Sequence, residues 1–192
     1  MQFIEARNYI LNKLRNELPA ELHYHRVEHT EGVYEACKQL AALEHINAYE
    51  TKLLLTAACY HDSGFLNDHY GHEQISCEIA RSALPDYGYT ENEINRVCGM
   101  IMATRIPQSP QNHLEEILAD ADLDYLGRDD FFIWSNKLYL EWGASGKING
   151  ENWNRTQIDF FEKHHYFTKT ALQLRLAKKT KHLAALKAKL KD

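Results

Sequence analysis

His61 and Asp62 stand side by side at the end of an apolar run, LLLTAACY, at residues 53–60. Such a pair is costly in apolar surroundings, because both side chains must find polar partners there. A divalent cation satisfies both at once: it accepts an imidazole nitrogen and a carboxylate oxygen and cancels the carboxylate charge. Two more donors of the same kinds sit beside apolar stretches, His29 in YHRVEHTEGV and Asp122 in ILADADLDYLG. Asp120 and Asp124 compete with Asp122, since helical geometry puts them on neighbouring faces. Two histidines and two aspartates would leave open positions on an octahedral ion such as Mn²⁺, Fe²⁺ or Mg²⁺, with Zn²⁺, Ni²⁺ or Co²⁺ as alternatives.

An ion with open positions makes hydroxide available near neutral pH and polarises a bound substrate oxygen. That chemistry wants an acid or base beside it. His72 is the leading candidate, because histidine titrates near physiological pH. Glu73, Asp68 and His69 are further candidates, and Arg26 and Arg105 are candidate contacts for an anionic substrate. Each has a plainer reading. His61 and Asp62 could share a structural hydrogen bond, Asp122 could cap a helix, His72 could be exposed, and the two arginines could be ordinary surface residues. His164-His165-Tyr166-Phe167 reads as packing.

Taken in order, YHRVEHT, CYHDSGF and ADADLD resemble the signature of the HD-domain phosphohydrolase superfamily: a histidine, an adjacent His-Asp pair and a distant aspartate. The resemblance extends to Gly71–Ser76 (GHEQIS) and covers about half of the chain. It implies an all-α helical bundle around one metal held by His29, His61, Asp62 and Asp122, and hydrolysis of a phosphoester of a nucleotide or similar small molecule. Two-metal members carry two further histidines between the pair and the last aspartate. His72 matches the first; the second would fall in MIMATRIP (100–107), which has none, so one metal is expected. The alternative is a regulatory metal-dependent module that binds a nucleotide without turning it over. An oxygenase using two irons is a third reading, against which the absent histidine argues.

Helices must position these residues. Apolar residues recur at helical spacing from Phe3 to Leu14, from about His25 to His45, over Thr51–His61, Gln74–Leu84, Leu114–Leu126 and Phe131–Trp142, and from about Arg155 to Leu190. Thr90-Glu91-Asn92-Glu93 reads as a capping box that opens a helix running to about Thr104. Ser63–Gly71 reads as a loop, Pro85–Gly88 and Gly143–Gly150 as breaks, and no alternating strand pattern is present. One domain is expected, with a motif core over about 24–127 and a helical extension over about 129–190. The chain has 192 residues, 44% hydrophobic and 26% charged, with 22 Lys and Arg against 27 Asp and Glu. Its net charge of -5 offers no footprint for nucleic acid or an anionic membrane. The lysines at 178, 179, 181, 187, 189 and 191 read as a solvated helix face. Cys37, Cys59, Cys77 and Cys98 lack CxxC spacing and read as buried thiols. Without a signal peptide or spanning segment, a cytoplasmic protein acting on a small phosphate ester is expected.

Overall fold

The apolar run that ends in His61-Asp62 becomes a helical stretch buried along its whole length. In the computed structural model, which describes residues 1–144 and 150–190, the chain forms α1 (Phe3–Glu17), α2 (Val27–Leu43), α3 (Ala48–Tyr60), α4 (His72–Ala83), α5 (Glu91–Ala103), α6 (His113–Asp122), α7 (Phe131–Ala144), α8 (Gly150–Lys163) and α9 (Lys169–Ala188). Short 3₁₀ turns follow α3, α4 and α6. No strand occurs among the described residues, so the fold is all-α.

Every residue of α3 from Leu53 to Tyr60 is buried. That is what a helix apolar on all sides must do, and each large side chain contributes roughly 1.5–3 kcal/mol of hydrophobic stabilisation. α1, α2, α5 and α6 pack around it. A second, smaller cluster of Tyr24, Tyr125, Phe131, Ile158, Phe161 and Leu186 joins the 3₁₀ turn after α6 to the C-terminal helices. The capping box at Thr90 and Glu93 is present and starts α5. All four cysteines are free and buried. No helix among the described residues is long and apolar enough to cross a membrane.

Three sequence expectations are refined. The long C-terminal helix divides at residues 164–168. There the buried Asp120 carboxylate accepts the backbone N–H groups of Phe167 and Thr168, both at 2.8 Å, and Thr168 caps α9. The 3₁₀ turn Asp124–Gly127 ends the helical stretch expected to reach Leu126. Lys179 is buried rather than solvated and donates to the carbonyls of Phe161 (3.0 Å) and His164 (2.5 Å), which satisfies the free end of α8. Lys178 and Lys187 pair with Asp129 and Glu162 at the surface. Residues 145–149 of the expected break, and Lys191, lie outside the described residues.

Candidate metal centre

α3 ends by delivering His61 and Asp62 into the seam between the two apolar clusters. His61 is fully buried, and its Nδ1–H donates to the carbonyl of Ala58 at 2.8 Å. A backbone carbonyl can only accept, so this bond fixes the ring and leaves Nε2 facing inward. His29 arrives from the first turn of α2, its ring against Tyr24 with centroids 4.6 Å apart. Asp122 arrives from the last residue of α6.

The polar atoms converge closely. His29 Nε2 lies 3.4 Å from His61 Nε2 and 3.1 Å from Asp122 Oδ1, and His61 Nε2 lies 3.4 Å from the same oxygen. One ligand atom each from His29, His61 and Asp122 falls within 4.8 Å of the others. Asp62 Oδ2 stands outside that trio, 3.2 Å from His61 Nε2 and 3.4 Å from His29 Nε2, and it is buried with no hydrogen-bond donor. Burying an oxygen without a donor is expensive. With its Nδ1–H already donated, a hydrogen on His61 Nε2 would make that ring a buried cation only 3.4 Å from His29 Nε2. A cation among them removes both conflicts, and imidazole with carboxylate is a donor set that suits a divalent transition ion.

Electrostatics agree with that reading. Burial opposes a charge on His61, but the Asp62 and Asp122 carboxylates outweigh it and hold the imidazole well above its usual value. Burial likewise opposes charge on Asp122, yet His29 and His61 bring it down to about 2. Asp62 is also held well below the usual carboxylate range, burial being overcome mainly by His61. The cluster therefore attracts positive charge, whether protons or a metal.

Among the other expected site residues, His72 opens α4 with its Nε2 3.5 Å from Asp62 Oδ1 and 3.6 Å from Glu73 Oε1. Burial pulls its imidazole below the usual value, against the pull of Asp62 and Glu73. His72 and Glu73 both line a cavity of about 270 Å³ that begins at Asp62 and Asp122. The structure does not bring the remaining four to this cavity. Asp68 is exposed and accepts the N–H of Tyr70 in a local turn, and His69 packs near Phe65. Arg26 precedes α2 and donates to the carbonyl of Leu22, while Arg105 is exposed. These positions follow from local turns, which place a side chain a few residues from a ligand on the outer surface.

The competing aspartates are engaged elsewhere. Asp120 holds the start of α9, where burial raises its carboxyl to about 6 despite three hydrogen-bond donors. Asp124 is paired with Arg175 at 2.6 Å. Thr104 lies in the MIMATRIP segment and does line the cavity, but its hydroxyl donates to the carbonyl of Ile101 at 2.8 Å.

Two residues outside the motif positions also shape the site. His25 lines the cavity, stacked on Phe65 with ring centroids 4.0 Å apart, and its Nδ1–H donates to the buried Glu141 carboxylate of α7. His25 adjoins the YHRVEH block, so its proximity to His29 was a usable signal; Glu141 offered none.

No protein-family model matches the chain, and no curated protein does. Two solved structures are similar to it. A Lactobacillus plantarum protein superimposes with a TM-score of 0.69 at 18% identity, covering 100% of this chain and 99% of that one. A predicted HD superfamily hydrolase from an uncultured Thermotogales bacterium gives a TM-score of 0.63 at 19% identity, covering 97% of this chain and 90% of that one. This similarity establishes an HD-type fold.

Proposed function

We propose that the protein is a metal-dependent phosphohydrolase that cleaves a phosphoester of a small molecule, of which nucleotides are the class the HD-domain resemblance suggests. One observation carries this reading: His29, His61 and Asp122, on three different helical segments, bring ligand atoms within 4.8 Å of one another, with the donor-less Asp62 oxygen beside them. The residues fit one divalent ion, and a cavity large enough for a compact substrate opens directly from it.

When bound, such an ion lowers the pKa of water and stabilises negative charge on a phosphoryl oxygen. The protein supplies the rest. His29, His61, Asp62 and Asp122 hold the ion, with the Ala58 carbonyl orienting His61. His72, kept neutral by burial, can take a proton at Nε2. His25 gives its Nδ1–H to Glu141, which leaves Nε2 as its remaining polar atom. Phe65 packs on both rings, with centroids 4.0 Å from His25 and 4.3 Å from His72, and so covers part of each.

Metal analysis of the purified protein and of His61→Ala and Asp122→Ala tests the ligand set. A divalent ion near one per chain in the wild type and little in either variant is expected. Phosphate release from small phosphate esters with added Mn²⁺ tests the activity. Full metal retention by both variants, or metal binding without hydrolysis of any phosphoester, would defeat the proposal.

A further inference from the structure

The wall of the cavity facing away from the metal ligands is aromatic and aliphatic. Phe131, Leu138, Trp142, Trp153 and Phe161 line it. Among the described residues, no lysine or arginine does. The charged groups on its lining are the acids Asp62, Glu73 and Asp122, together with the titratable His25 and His72, all at the metal end. One divalent ion would offset two of those three carboxylate charges. Each phosphate beyond the first would then bring more negative charge to a lining that, among the described residues, holds no lysine or arginine to receive it.

The aliphatic hydroxyls on the lining already donate to protein acceptors. Ser135 donates to Gln157 Oε1 at 2.5 Å, Thr104 to the carbonyl of Ile101 at 2.8 Å, and Thr156 to the carbonyl of Asn152 at 3.0 Å. A sugar placed here would exchange water for a wall that is mostly aromatic and aliphatic, with few polar groups to receive its hydroxyls. A flat apolar group pays no such penalty and gains contact with the aromatic rings. At about 270 Å³ the cavity lies at the compact end of small-molecule sites.

We propose that this cavity takes the organic group of a phosphate monoester whose alcohol is compact, uncharged and largely apolar, an arylalkyl or aryl phosphate in class, in preference to a nucleotide. The assignment rests on the hydrolase reading above and narrows its substrate.

Calorimetric titration of the Mn²⁺-loaded protein with non-hydrolysable probes tests it: methylphosphonate, benzylphosphonate, and the phosphonate analogue of adenosine monophosphate. Benzylphosphonate should bind at least tenfold more tightly than methylphosphonate, about 1.4 kcal/mol, and more tightly than the nucleotide analogue. Leu138→Gln, which puts an amide in the apolar wall, should bring the benzyl-to-methyl ratio towards one. Equal binding of benzyl and methyl probes, tighter binding of the nucleotide analogue, or an unchanged ratio in Leu138→Gln would each overturn the assignment. If the benzyl preference holds but the loaded protein releases no phosphate from benzyl phosphate or any other ester, the hydrolase reading fails while the ligand class of the cavity stands.

Discussion

The carboxylate of Glu141 accepts the ring N–H of His25 from 116 residues away in the chain. It also accepts the backbone N–H groups of His23 (2.9 Å), Tyr24 (2.8 Å) and His25 (3.1 Å). One buried acid on α7 thus organises the segment that leads into α2, and with it the approach of His29 to the candidate metal centre. Four donors on one carboxylate also explain its ionisation: burial favours the neutral acid, yet His25 and the backbone donors hold it below the usual carboxylate range.

Glu141→Gln should therefore lower stability by about 2–3 kcal/mol at neutral pH, because an amide has one acceptor oxygen and turns its own N–H groups toward donors. The sign with pH follows from the depressed carboxyl. Its contribution is full above the unfolded value of 4.5 and is lost as pH falls through the lower folded value. Urea unfolding of both proteins across this range checks it, and the variant should show the shallower acid limb. Equal stability at neutral pH would mean that Glu141 is not what fixes the segment.

Metal binding should itself be pH-dependent. The cluster raises His61 well above 6.5, so an incoming ion must displace a proton from that ring. Affinity should climb as pH rises past 6.5, and Mn²⁺ should raise the melting temperature, an effect worth about 2.7 kcal/mol at a hundredfold excess over Kd. Chelator should reverse it, and His61→Ala should abolish it. A melting temperature indifferent to Mn²⁺ at every pH would argue against a metal centre.

The four proposed metal ligands were legible because their chemistry conflicts with their neighbours: a charged or polar group set in an apolar run demands a partner, and the sequence shows that demand directly. The helices were legible for the same periodic reason. What escaped was contact at a distance. Nothing near Glu141 announces that it will meet His25, and Asp120, Asp122 and Asp124 look alike until α9 claims the first and Arg175 the last. Asp68, His69, Arg26 and Arg105 show the opposite failure, since nearness in sequence to a ligand did not carry them to the cavity. The division between α8 and α9 was hidden too, because the side chain that stabilises it belongs to α6.

That division supplies a third prediction. Thr168 Oγ1 accepts the N–H of Ala171 at 3.1 Å and donates to Asp120 at 2.7 Å, so it caps α9 and ties it to α6. Thr168→Ala should cost about 1–2 kcal/mol in urea unfolding. Metal content should not change, because Asp120 is separate from the ligand cluster. Loss of metal in this variant would show that Asp122 depends on the α9 junction after all.

The fourth concerns how the turn after the His-Asp pair is held. Ser76 Oγ donates to the carbonyl of His61 at 2.7 Å and accepts the N–H of Gly64 at 2.8 Å, locking α4 onto the end of α3. Gly64 in turn lies so close to the backbone of His72 that a Cβ there would stand 2.0 Å from its carbonyl oxygen and 2.8 Å from its Cα. Neither backbone atom can move without shifting the start of α4. Ser76→Ala should leave two buried backbone groups unpaired and cost about 1–3 kcal/mol. Gly64→Ala should do more harm to activity than to metal content, because it pushes His72 away from Asp62 while leaving His29, His61 and Asp122 in place. Comparing phosphate release with bound metal in the two variants separates these effects. Undiminished turnover in a folded, metal-loaded Gly64→Ala protein would remove His72 from the proposed chemistry.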